Sequence, residues 1–352
     1  MRRPLLALTL GTLVFLRAPL HADDLVLRLF GDYLDALRIQ AAIPGLSAAI
    51  IGDNDIVWER AFGQQDVERS FATRSDTPFQ LDGLTQVFTA SLVLRCVEEG
   101  RLSLDDRIGR FTSDSADADA TIRQILTHTY GAPDALVFAY RPERLAPLMR
   151  VIRACRDDSF RETLANLLER MGMGDSVPGA DVIRIVPPAE GIPSPAAVAR
   201  YTAVLGRLAT PYAVDRQGRA SPSQYAATTI TPGGGLISTT RDFAKFDLAL
   251  RKGVVLHSDT LAAAWQPPAG RNGQTMPHGL GWFVQTYNGE MIVWQFGVGE
   301  NASSSLVVKV PRRGLALILL ANGDGMAKGL GLAAGDLTIS PFGRLFLGTF
   351  VR

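Results

Sequence analysis

A side chain does covalent or acid–base work only beside a partner that activates it, and the local sequence offers few such pairings. Thr85 and Ser91 fall on the stretch after Asp82-Gly83-Leu84, and Ser303, Ser304 and Ser305 lie on or beside a strand-like run with no adjacent base. All five hydroxyls read as structural, as most are. Asp82 stands just ahead of a helical pattern and reads as its N-cap. His128, His257 and His278 show no metal-ligand spacing with one another or with cysteine, so neither a metal nor a cofactor is expected. The glycine clusters 233–235 and 329–335 do not join a strand to a helix as a phosphate loop does, and read as turns. Cys96 and Cys155 sit in apolar, helix-like surroundings and are expected as two separately buried thiols.

The elements that would position these residues come from both chain ends. Asp24 to Gln40 spaces Leu25, Leu27, Leu29, Phe30, Tyr33, Leu34 and Leu37 as an amphipathic helix. Leu46–Ile51 and Ile56–Phe62 flank Gly52-Asp53-Asn54-Asp55 and predict a β-hairpin. Strands are expected at Gly281–Thr286, Met291–Gln295, Ser304–Val310 and Leu315–Ala321, with a closing helix within Leu337–Val351. Between them, Leu84–Glu99 is apolar almost all round and stops at Gly100, which predicts a buried helix with a glycine cap. Thr121–His128 and Phe160–Met171 read as further helices, and the proline-rich Ser176–Ala197 as an irregular connection. The pattern is α+β: an antiparallel sheet from both chain ends, flanked by helices, with a helical insertion.

Arg2-Arg3, the apolar Leu5–Leu16 and the small residue Ala22 before Asp23-Asp24 resemble a cleaved export leader. The expectation is a leader over 1–22 and a single mature domain over 23–352, periplasmic or secreted, without a membrane-spanning segment. Its α/β part is placed at about 23–95 and 225–352, its helical part at about 96–224. With 36 basic and 35 acidic residues and a formal net charge of +1, nucleic acid is not an expected partner.

The order of several stretches resembles the serine β-lactamase and DD-peptidase superfamily, in its class C β-lactamase and esterase branch. The stretches are Phe79 to Ala90, Val97 to Asp106, Ile122 to Gly131, Met171 to Asp175, Gly233 to Phe243 and Gly279 to Trp282. The resemblance implies three motifs converging on one pocket, and this chain departs from each. For S-x-x-K it has Gly83 and Gln86, so neither nucleophile nor lysine base is present. For Y-x-N it keeps Tyr140 but has Pro142 in place of asparagine. For K-T-G or H-x-G it has Gln295-Phe296-Gly297.

Four replacements in three motifs imply an abandoned acylation site. The backbone N–H groups that form the family's oxyanion hole carry over to Gly83 and Val298, and do not depend on the missing side chains. The expectation is therefore an inactive homologue whose pocket, lined by Gly83, Gln86, Tyr140, Gln295, Gly297 and Val298, binds a cell-wall peptide or acyl ligand. Two alternatives stand beside it. One is an active esterase, β-lactamase or peptidase using another nucleophile or a water activated by Tyr140. The other is an interaction protein whose pocket has collapsed.

Overall fold

The computed structural model describes residues 21–132, 135–185, 193–215, 217–270 and 273–352. The expected leader lies outside these residues, apart from His21 and Ala22, which open the first helix. In chain order the first elements are α1 (His21–Gln40), β1 (Gly45–Gly52), β2 (Asp55–Asp66), β3 (Phe71–Ala72) and β4 (Phe79–Gln80). A 3-10 turn, Asp82–Leu84, leads into α2 (Thr85–Glu98). Then come α3 (Ile122–Leu126), β5 (Thr129–Tyr130), β6 (Val137–Phe138), α4 (Leu148–Arg156), α5 (Phe160–Arg170), β7 (Val177–Pro178) and α6 (Pro195–Leu205). The chain continues through β8 (Tyr212–Val214), β9 (Ala220–Pro222), β10 (Leu236–Ser238), α7 (Thr240–Arg251) and α8 (Ser258–Ala264). It closes with β11 (Phe283–Tyr287), β12 (Glu290–Gly299), β13 (Ser303–Val310), β14 (Leu315–Ala321) and α9 (Pro341–Phe350).

Strands from the two chain ends form one seven-stranded sheet in the order β11-β12-β13-β14-β1-β2-β3, every pair antiparallel. The β1–β2 turn uses Asp53 and Asn54 at φ 50° and 64°, and β11–β12 uses Asn288-Gly289 at φ 49° and 76°. Two positive φ values in a two-residue loop are what a twisted hairpin requires. β1, β13 and β14 are buried along almost their whole length, because helices cover both faces. This explains the continuous apolar runs Ala48–Ile51 of β1, Leu306–Val308 of β13 and Leu315–Ala321 of β14, where a half-exposed strand would alternate. One face carries Phe30 and Leu34 of α1 with Phe342 and Phe346 of α9, and the other carries α2 and α7 through Phe88, Phe243 and Phe246. On α1 the buried face is narrower than the sequence pattern suggests: Leu25, Leu29 and Tyr33 are exposed.

α2 ends where Gly100, at φ +69°, lets Arg101 N–H reach the Cys96 carbonyl and Gly100 N–H the Val97 carbonyl. This is the left-handed glycine stop expected there. The cysteines are not separate thiols. Cys96 of α2 and Cys155 of α4 are joined by a disulfide across 59 residues. Both lie on the faces that pack these helices together, so burial and pairing coincide. The Ser176–Ala197 connection also holds more regular structure than its prolines suggest, with β7, a 3-10 turn at Ala180–Arg184 and the start of α6.

A bridge closing so long a loop removes much unfolded-chain freedom, worth about 2–4 kcal/mol. The Cys96→Ala/Cys155→Ala variant should lose that much in urea melts. Reducing agent should lower the wild-type midpoint and leave the variant's unchanged.

Candidate active site

β12 pairs with β11 only as far as Trp294. Beyond that point the 3-10 turn Asp82–Leu84 lies against the strand. Two serines of β13 hold the turn there. Ser305 Oγ donates to the Leu81 carbonyl and Ser303 Oγ to Asp82 Oδ2, each at 2.7 Å. The approach is so close that only glycine fits. A Cβ on Gly83 would strike the Phe296 carbonyl oxygen and stand 3.2 Å from Tyr140 Oη. A Cβ on Gly297 would strike the Leu81 carbonyl and come within 2.6 Å of Gly83 N.

Behind this contact runs a buried chain of neutral hydrogen bonds. His128 Nδ1 accepts from Arg141 N–H at 3.2 Å, which leaves Nε2–H to donate to Gln86 Oε1 at 2.8 Å. Gln86 Nε2 donates to Tyr140 Oη at 2.7 Å, and Tyr140 Oη donates to Gln295 Oε1 at 3.2 Å. Gln295 Nε2 then reaches the Gly281 carbonyl at 3.2 Å and His278 Nε2 at 3.3 Å. His278 completes the chain by donating from Nδ1 to the Gly279 carbonyl at 2.7 Å. Every donor faces an acceptor, so the chain is polar but carries no charge.

Burial fixes this neutrality. It pushes His278 down to about 3 against the opposing carbonyls of Gly279 and Leu126. It pulls His128 well below the usual imidazole range, helped by nearby His278 and Arg144. The Tyr140 hydroxyl is pushed far up by desolvation, which outweighs its bond from Gln86. A phenolate base is therefore not available at neutral pH.

Asp82 is not an N-cap. α2 is preceded by Leu84 in helical conformation, with no capping side chain. Asp82 instead adopts φ +49° and turns its carboxyl into the protein, where it is 8% exposed. Desolvation raises its pKa to about 7, against the lowering effect of Ser303 and the Gly299 backbone.

A cleft of about 380 Å³ opens beside these residues. Of the expected pocket residues, Gly83, Tyr140, Gly297 and Val298 line it, as does Pro142. Gln86 and Gln295 do not; both are fully buried in the hydrogen-bond chain. Thr85, Ser91 and Ser304 are also committed, to Leu236 N–H, the Val87 carbonyl and the Gly323 carbonyl. Sequence reasoning missed His128 and His278 as members of the site. Their only signal was that each sits inside or beside a stretch of the family framework, His128 in Ile122–Gly131 and His278 just before Gly279. Among the described residues no group of His, Cys, Asp and Glu could hold a metal ion.

The beta-lactamase family model matches residues 28–167 and 186–336. The chain belongs to the beta-lactamase family. Within it, the chain is 35% identical to penicillin-binding protein 4 of Amycolatopsis lactamdurans over 133 residues, 36% of this chain and 34% of that one. Over 301 residues it is 23% identical to penicillin-binding protein 4* of Bacillus subtilis, covering 76% of this chain and 66% of the relative. The matched stretches thus span about a third to two thirds of these relatives' lengths. Among solved structures, the octameric penicillin-binding protein homologue from Pyrococcus abyssi superposes with a TM-score of 0.71 at 20% identity, covering 91% of this chain and 77% of that one. A penicillin-binding protein from Bacillus halodurans superposes at 0.65 and 19% identity, covering 82% and 94%. These structures share the beta-lactamase-type architecture found here.

Asp82 gives the site a pH signature. Its folded pKa lies above its unfolded one, so between about pH 4 and 7 the folded chain holds a proton that the unfolded chain has released. Its contribution to stability therefore falls as pH rises through that window. The two buried histidines tilt the other way, so the difference between wild type and Asp82→Asn isolates the carboxyl. Asparagine tolerates positive φ and can still accept from Ser303. The variant's advantage in urea melts should grow by up to about 4 kcal/mol from pH 4 to pH 8. A difference flat with pH would show that Asp82 is not buried as a charge.

Proposed function

We propose that this chain is a non-hydrolysing member of the beta-lactamase family that binds a peptidic or acyl ligand in the cleft beside Gly83. The observation that carries this reading is the contact between Gly83 and the Phe296 carbonyl. It leaves no room for a serine side chain, and Gln86 occupies the lysine position inside a neutral hydrogen-bond chain. The ligand surface is then Gly83, Tyr140, Gly297 and Val298, with the backbone N–H groups of Gly83 and Val298 offered to a carbonyl or carboxylate. Gln86 and Gln295 contribute by holding Tyr140.

The collapsed-pocket reading gains support from the same contact, since the floor of the site is closed. The 380 Å³ of space above that floor favours binding. A Tyr140-activated water is disfavoured, because the tyrosine hydroxyl is engaged as both donor and acceptor and held protonated. Export fits the Cys96–Cys155 disulfide, because such bonds persist in oxidising compartments.

Purified protein should neither turn over a chromogenic β-lactam or a p-nitrophenyl ester nor be labelled by a fluorescent penicillin. The Gly83→Ser/Gln86→Lys variant should also fail to acylate. It should lose at least about 1–3 kcal/mol of stability from overpacking against Phe296. Covalent labelling of either protein would overturn the proposal.

A further inference from the structure

We propose that the outer face of α1 is a self-association surface, on which a second copy of this chain packs its own α1 antiparallel across a twofold axis. None of the residues on that face lines the cleft. The inner face of α1 is fully employed. Phe30 and Leu34 are buried, and Phe30 meets Trp58 of β2 and Phe350 of α9 at ring-centroid distances of 5.5 and 5.3 Å. A helix that covers a sheet in this way is ordinarily polar on its other side. Here Leu25, Val26, Leu29, Tyr33, Ala36 and Ile39 are all exposed, Tyr33 and Ile39 at 62%. Residues three and four apart are neighbours on a helix, so 25, 29, 33 and 36 form one row, which 26 and 39 widen. The row follows a helix about 30 Å long, and a contiguous exposed apolar patch of this kind marks an interaction site.

Charge selects the occupant. Arg28 and Asp32 border the row on one side, both exposed, and among the described residues neither has an ion-pair partner, whereas Asp35 is already paired with Arg38 at 2.6 Å. When two antiparallel helices are related by a twofold axis, the same flank of each meets the other. A register centred on residue 30 therefore sets Arg28 opposite the second copy's Asp32, and Asp32 opposite the second copy's Arg28. The same register packs Leu29 against its own counterpart at the axis and seats Leu25 between Tyr33 and Ala36 of the second copy. Each off-axis contact then occurs twice, as a self-complementary interface requires. A parallel pairing would instead set this charged flank against the apolar side formed by Val26 and Tyr33. A membrane surface suits the stripe less well. Residues 24–40 carry three acids and two bases, where a membrane-lying helix has a polar face rich in lysine and arginine.

Sedimentation velocity of the purified protein should show a monomer–dimer equilibrium between about 1 and 100 μM. Leu29→Glu brings two carboxylates together at the axis and should weaken the dimer by about tenfold or more. Its urea midpoint should stay at the wild-type value, because the side chain it replaces is exposed. Arg28→Asp and Asp32→Arg should each weaken the dimer severalfold, and the double exchange should restore it. Cys96 and Cys155 are bonded to each other, so a single introduced cysteine reports on the register. Leu29→Cys should cross-link to its own counterpart under mild oxidation. Leu25→Cys, displaced about 15 Å along the axis from its counterpart, should not. A wild type still monomeric at about 100 μM would overturn the proposal. So would a dimer unaffected by Leu29→Glu, or one that cross-links through Leu25→Cys instead. Monomers that float with phosphatidylcholine vesicles, and cease to do so as Leu29→Glu, would overturn it in favour of a lipid surface.

Discussion

The site depends on one close approach: the 3-10 turn Asp82–Leu84 pressed against the edge of β12. Ser303 and Ser305 of β13 tie the turn down by its own carboxyl and by the Leu81 carbonyl. Glycine at 83 and at 297 is the condition for this contact, because a Cβ at either position would collide with backbone, which cannot swing aside as a flexible side chain can. The loss of the serine side chain and the closure of the floor are therefore one structural fact. The turn also forces Asp82 to φ +49°, a conformation that asparagine and aspartate tolerate better than most residues.

The other replacements follow the same logic of neutrality. A lysine at position 86 would stand among His128, Tyr140 and Gln295, all buried or enclosed, with no carboxylate in its hydrogen-bond chain. Glutamine supplies a donor and an acceptor in one side chain, so it links the His128 Nε2–H to the Tyr140 oxygen without a charge. Gln295 does the same between Tyr140 and the Gly281 carbonyl. The two glutamines thus act as spacers in a satisfied network, and such networks rigidify a core when no member is left unpaired. Pro142 completes the change at the rim, where it offers the cleft no side-chain amide.

Much of the architecture was legible in the sequence because it rests on local rules. Gly52-Asp53-Asn54-Asp55 announced the β1–β2 hairpin, the run Leu84–Glu99 ending at Gly100 announced α2, and the apolar stretches toward the C-terminus marked β11 to β14. What escaped depended on contacts between distant segments. α4 was hidden because its apolar positions alternate with arginines and it packs through Cys155, whose partner lies 59 residues away. α7 carries a helical spacing of Phe243, Phe246 and Leu250, of which only Phe243 falls within the framework stretch Gly233–Phe243. At the site, the positions of the replacements were legible and their burial was not. Nothing local distinguishes a glutamine facing a ligand from one facing a histidine 42 residues onward.

Asp82 shows best what the third dimension adds. Just ahead of a helical run, an aspartate is ordinarily a cap, and the physical preference behind that reading is sound. Here the helix proper begins at Thr85, after a 3-10 turn whose close seat against β12 rotates the aspartate away from the helix end and into the protein. The carboxyl leaves the helix-end donors a cap would have met and is bonded instead by Ser303 and the Gly299 backbone. The same constraint that leaves no room for a side chain at position 83 has thus turned the neighbouring carboxyl into the protein, where desolvation raises its pKa to about 7.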